Sequence, residues 1–159
     1  MAARLHDDDA IVRRLAGESL WSLWFRADVE AASQELQRLM RLRDLKKALH
    51  GFEGLLKKAP EYAEAYNQRA IFHYHRGDYA KAIHDCEKTL RLNPHHFGAA
   101  GGMGQCFMKQ RKFRAALRIF RRANRINPNM ESVREAIQSL ERMLGEEGRG
   151  GNRGARGEG

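Results

Sequence analysis

The sequence predicts an all-α protein: a right-handed stack of about three helical hairpins, the first degenerate, with a leading and a C-terminal capping helix. Three observations carry this. The prolines, Pro60, Pro94 and Pro128, are each 34 residues apart, and a fixed period of that length marks stacked repeats. Size-matched residues recur at the same shift: Ala82 with Ala116, Ile83 with Leu117, Tyr79 with Phe113, Ala70 with Gly104. Small residues recur where two helices approach and large ones where a knob fills a groove. Few β-branched runs and only three prolines in 159 residues argue against a sandwich or barrel.

The elements follow in order. Residues 1–26 hold an N-terminal segment and a leading helix over about 8–25, with Asp7 or Asp8 as N-cap. Three repeats cover 27–60, 61–94 and 95–128. Their helices are placed at about 29–42, 45–58, 62–75, 79–92, 96–109 and 113–126. Each proline falls between hairpins, where it ends a helix. A capping helix over 129–144 is stopped by Gly145. The Gly/Arg-rich stretch 145–159 has seven glycines and no large apolar side chain, so it reads as a disordered tail.

The segment AEAYNQRAIFHYHRGDYAKAIHDCEKTLRLNP, 63–94, resembles a tetratricopeptide repeat, and 97–128 resembles a second copy. Residues 43–60 resemble the second helix of an earlier copy, whose first helix lacks the aromatic and the small slot. The resemblance covers about two-thirds of the chain and implies a non-catalytic protein-binding solenoid. The phrases PEYAEAYNQRA and NPHHFGA, with a Trp-bearing leading helix, also resemble small bacterial proteins of this family.

Composition excludes several classes. No stretch approaches the ~18 apolar residues of a membrane span, and the N-terminus, MAARLHDDDA, is no secretory signal as it stands. A cytoplasmic placement is expected, and a mature chain that had lost its signal would read the same. No nucleophile elbow, phosphate loop or zinc-helix motif occurs, so no catalytic residues, cofactor or metal are expected. Gly101, Gly102 and Gly104 lie inside a repeat helix, where they serve close packing. No two of the seven histidines have i, i+4 ligand spacing. Cys86 and Cys106 read as small buried hydrophobes on touching helices. Trp21 and Trp24 read as a cover for the open end of the stack, with an aromatic partner patch as the other reading.

Two surfaces are candidate sites. First helices line the concave groove of such a stack, which places Glu64, Asn67, Gln68, Ile71, Tyr74 and His75 there. The third repeat contributes Gln105, Met108 and Lys109, with Gly98, Gly101 and Gly102 leaving room. This mixed polar and apolar lining suits a peptide or helix. Some relatives in the resembled family clamp a chaperone C-terminal carboxylate with Asn, Lys and Arg. Here those slots hold Gln68, Gly98 and Gly102, so that chemistry is missing. The second surface is basic. The chain carries 29 Lys+Arg against 20 Asp+Glu, a net charge of +9, yet no acidic residue lies between Lys88 and Met130. Arg114, Arg118, Arg121, Arg122 and Arg125 follow helical spacing and form one stripe. It lies on a second helix, hence on the convex side. Such a stripe is either a solvated face or a site for an acidic protein or RNA.

The function expected is therefore a protein-protein interaction adaptor holding a peptide or helix in the groove. The alternatives are binding of RNA or another polyanion by the third repeat, and a bacterial envelope assembly or accessory factor, which requires a leader this sequence does not show. Weak homo-oligomerisation is a further partner reading; insertion into a membrane is not expected.

Overall fold

Pro94 and Pro128 are held in one kind of turn. Asn93 Oδ1 accepts from the His95 N–H at 3.1 Å, and 34 residues later Asn127 Oδ1 accepts from the Asn129 N–H at 3.0 Å. The asparagine closes a local turn over the proline, which has no N–H to offer. A computed structural model describes residues 14–20 and 30–151. Residues 14–20 form α1. There follow α2 (Glu30–Met40), α3 (Leu45–Lys58), α4 (Ala63–Arg76), α5 (Tyr79–Leu92), α6 (Phe97–Lys109), α7 (Phe113–Ile126) and α8 (Glu131–Gly151). Among the described residues every regular element is a helix. Consecutive helices from α2 to α8 pack in sequence, and α4 also touches α6.

The helix ends are set by local chemistry. Asp44 Oδ1 accepts from the Lys46 and Lys47 N–H groups at 3.0 and 3.1 Å, satisfying two orphan donors of α3. Gly77 ends α4 with φ 85°, and the Asp78 N–H closes back on the His73 carbonyl at 2.9 Å. One repeat later the turn recurs, with the Lys112 N–H on the Phe107 carbonyl at 2.9 Å, but the left-handed position is Arg111, φ 58°. An arginine there costs about 1 kcal/mol that a glycine does not.

The core divides along α4. One cluster joins Leu36, Phe52, Leu56, Tyr62 and Phe72 from the first repeat and its junction. The other joins Ala82, Cys86, Met103, Phe120 and Leu140 from the second repeat to α8. Repeat-equivalent positions exchange volume. Ala70 and Cys86 in the second repeat answer Gly104 and Phe120 in the third, and both Ala70 and Phe120 are buried. A Cβ on Gly104 would lie 2.5 Å from Phe120 Cε1, so the larger ring requires the missing side chain. The degenerate first repeat makes a different exchange. Leu36 fills its small slot, and Leu39 presses on Gly51, where a Cβ would lie 2.2 Å from Leu39 Cδ2.

One expectation changes, and another falls mostly outside the described residues. Helix α8 does not stop at Gly145 but runs to Gly151, so the tail expected at 145–159 begins as helix. The glycine costs only about 1 kcal/mol within a helix, and no side chain approaches its Cβ position; Glu146 and Glu147 beyond it are good helix formers. Of the leading helix, only 14–20 lie among the described residues, so Asp7, Asp8, Trp21 and Trp24 fall outside them. Among the described residues no helix is long and apolar enough to cross a membrane.

Candidate functional site

A recess of about 280 Å³ opens where α4 and α6 face each other. Asn67, Gln68, Ile71 and Tyr74 line it from α4, Gly98, Gly102 and Gln105 from α6, and Cys86 reaches it from α5. The spacing of 67, 71 and 74 is one face of a helix. The recess exists because α6 has no side chains at 98 and 102. A Cβ on Gly102 would make an ordinary contact, 3.9 Å from Cys86 Sγ, so no clash demands the glycine there. Ile71 remains 41% exposed, an apolar rim without a cover.

Every lining side chain is uncharged at neutral pH. Burial pushes the Cys106 thiol up to about 11, and burial pushes the Cys86 thiol up further, so both sulfurs stay protonated and apolar. The cysteines were legible as buried hydrophobes, but their place in the wall of the recess was not. The signal available was the spacing of Gly98, Gly102 and Cys106 on one face of α6, with Cys86 across from Gly102.

Glu64, expected in the groove, is instead buried beneath it, 1% exposed. Its Oε2 lies 2.7 Å from His96 Nε2, and its Oε1 accepts from Gln68 Nε2 at 2.6 Å and Asn67 Nδ2 at 3.2 Å. A buried carboxylate must be hydrogen-bonded, and these partners draw it inward. The consequence reaches the recess. A carboxylate accepts only, so Asn67 and Gln68 must turn their NH₂ groups to it and keep their carbonyl oxygens for the other side. His96 is fixed in the same way: its Nδ1 accepts from the Ala99 N–H at 3.0 Å as the N-cap of α6, leaving Nε2 to carry the proton towards Glu64.

The other expected groove residues are placed differently. His75 is exposed with its ring edge-on to Tyr74 at 5.8 Å. Met108 packs against the core and Lys109 is exposed at the end of α6. None of the three lines the recess. Gly101 faces α8, since a Cβ there would lie 3.2 Å from Met130 Cε. One residue along a helix rotates the side chain by about 100°, which separates Gly101 from Gly102.

Beside the recess, Arg69 Nε and Nη2 donate to the two Asp85 oxygens at 2.7 and 2.6 Å, with Asp85 buried. Such a bidentate pair fixes α4 against α5. In the basic stripe, Arg114, Arg118 and Arg125 are exposed and Arg122 is half-buried. Arg121 is tied to Glu141 of α8 at 2.6 Å, a partner outside the acid-free segment.

The tetratricopeptide repeat family model matches residues 63–96. A TPR repeat-containing protein of Rhizobium etli is 30% identical over 97 residues, covering 61% of this chain and 48% of that protein. The Bos taurus SGT1 homolog is 33% identical over 85 residues, 54% of this chain and 25% of its own length. The chain thus spans about half or less of these relatives, which are bacterial and animal. Among solved structures, the Sgt2 TPR domain from Aspergillus fumigatus matches with TM-score 0.68 at 18% identity, over 82% of this chain and 87% of that domain. The first TPR of Spaghetti (RPAP3), bound to the HSP90 peptide SRMEEVD, matches with TM-score 0.66 at 16% identity, over 72% of this chain and 91% of that chain.

Proposed function

Because this chain is a tetratricopeptide-repeat protein, we propose that it is a non-catalytic adaptor that holds a segment of another protein in the α4–α6 recess. The observation that carries this is the recess itself: a preformed apolar cavity with uncovered Ile71 on its rim and oriented amide oxygens beside it. Sites of this make-up bind by burying an apolar anchor and fixing the backbone with a few polar groups.

The ligand class differs from that of the Spaghetti domain, whose HSP90 peptide is acidic. No lysine or arginine lines the recess here, and Asn67 and Gln68 offer oxygens to it. An acidic terminus meets no cation there, so its charge is desolvated without an ionic partner. The segment that fits is uncharged, with an apolar side chain entering over Gly98 and Gly102 and backbone N–H groups reaching the amides.

The test is selection of a random peptide library on the full chain, followed by affinity measurement on Gly102→Leu and Ile71→Glu. Selected peptides rich in apolar anchors that lose at least tenfold on both variants support the reading. Peptides that bind both variants as tightly as the wild type, or selection of acidic C-termini, contradict it.

A further inference from the structure

The third repeat carries a second surface, which shares no residue with the α4–α6 recess. Arg111, Lys112, Phe113, Arg114 and Arg118 surround a shallow depression of about 610 Å³ that Leu144 of α8 closes on one side. Among the described residues no ion pair engages Arg111, Lys112, Arg114 or Arg118, whereas Arg121 is occupied by Glu141.

The second repeat is an internal control for what the fold itself needs. The same turn and helix there carry Gly77 for Arg111, Asp78 for Lys112, Ala80 for Arg114 and His84 for Arg118. The backbone turn is the same in both, closed by Asp78 N–H on His73 O and by Lys112 N–H on Phe107 O, each at 2.9 Å. The cations therefore contribute nothing to forming the turn. Arg111 opposes it, since its φ of 58° is a conformation in which Gly77 is unstrained. Strain retained at a residue whose charge is also repelled by its neighbours points to a role outside folding.

We propose that this depression and the exposed face of α7 bind the phosphate backbone of single-stranded RNA. The shape of the patch favours a phosphate chain over a single anion. Beyond the depression, Arg122 and Arg125 extend the row along α7, so from Arg114 to Arg125 it runs about 16 Å at the helical rise. Phosphodiesters supply a negative charge at every nucleotide along such a row, and guanidinium groups match phosphate oxygens bidentately. Phe113 packs against the core as its repeat equivalent Tyr79 does, and only its outer edge adjoins the cations of the depression. The chain continues past Leu144 into a stretch with Arg149, Arg153 and Arg156 among glycines, a composition common to RNA-binding segments.

The experiment uses the full chain, a fluorescein-labelled 12-nucleotide single-stranded RNA, and anisotropy at two salt concentrations. The variant Arg111→Gly/Arg114→Ala/Arg118→His installs the residues of the second repeat. Binding by the wild type that weakens with salt is expected. The variant is expected to bind at least tenfold more weakly while melting at an equal or higher temperature. Arg121→Gln and Gly102→Leu are expected to keep wild-type RNA affinity, the second because the groove is separate. Absence of wild-type binding at low salt, or a variant that binds like the wild type, overturns the proposal. Equal competition by polyglutamate assigns the patch to an acidic protein, and equal competition by duplex RNA removes the single-strand assignment; either overturns it.

Discussion

Glu64 and His96, thirty-two residues apart, meet at 2.7 Å with neither side chain exposed by more than 1%. The contact joins the second repeat to the third. It also sets the chemistry of the recess, because the other Glu64 oxygen holds the Asn67 and Gln68 amides. One buried carboxylate thus links the repeat junction to the orientation of two lining residues.

That linkage makes a graded prediction. Glu64→Leu strands the donors of His96, Asn67 and Gln68 and is expected to cost about 3 kcal/mol. Glu64→Gln keeps an acceptor for His96, and Asn67 and Gln68 can reverse to accept from the new NH₂. Its cost is expected to be about 1 kcal/mol, with the polarity of the recess inverted. Urea denaturation checks the order of the two; equal losses mean that the hydrogen bonds do not govern the junction.

Two glycines on α6, two residues apart, are predicted to respond oppositely to alanine. At Gly104 the new Cβ meets the Phe120 ring at 2.5 Å, and overpacking of this kind costs about 1–3 kcal/mol. At Gly102 the nearest side-chain atom is 3.9 Å away, and the gain in helix propensity is worth up to about 1 kcal/mol. Thermal melts of Gly104→Ala and Gly102→Ala decide this. A stabilised Gly104→Ala contradicts the packing described.

Stability is predicted to fall on mild acidification because of His73. Burial holds its imidazole below the ordinary value of 6.5; Asp85 and Asp78 push the other way, while Arg69 and Lys81 reinforce the lowering. The folded chain therefore rejects a proton that the unfolded chain accepts. The neutral group contributes its full stability above 6.5 and loses it as pH falls below that value towards its lower folded pKa. His73→Gln is expected to flatten this dependence. Denaturation midpoints at pH values on either side of 6.5 test it, and an unchanged slope in the variant assigns the acid sensitivity elsewhere.

The periodicity of the sequence made the fold legible to within a residue or two at most helix ends, since Pro60, Pro94 and Pro128 and the small-large matches are local signals. The recess was legible in part: Asn67, Gln68, Ile71 and Tyr74 stand on the first helix of a repeat, the element expected to line the groove, and all four line the recess. Glu64 was misplaced because its partner, His96, comes from the next repeat, and nothing at positions 64–68 announces a buried carboxylate. Arg121 escaped as a paired residue for the same reason, its partner Glu141 lying on α8. Helix α8 ran past Gly145 because one exposed glycine is a weak stop when good helix formers follow. The volume exchange between Gly104 and Phe120 was not legible, because Ala70 and Gly104 match as small residues at the 34-residue shift and the reason for the glycine lies in its contact with the Phe120 ring.

On the proposed function, an uncharged segment with an apolar anchor enters the α4–α6 recess. The most direct test is NMR titration of the isotope-labelled full chain with a library-selected peptide. Shift changes are expected to centre on Ile71, Tyr74, Gly98 and Gly102 and on the side-chain amides of Asn67, Gln68 and Gln105. The same experiment with SRMEEVD is predicted to leave these signals unmoved. Changes confined to other helices, or movement of the recess signals by the acidic peptide alone, would contradict it.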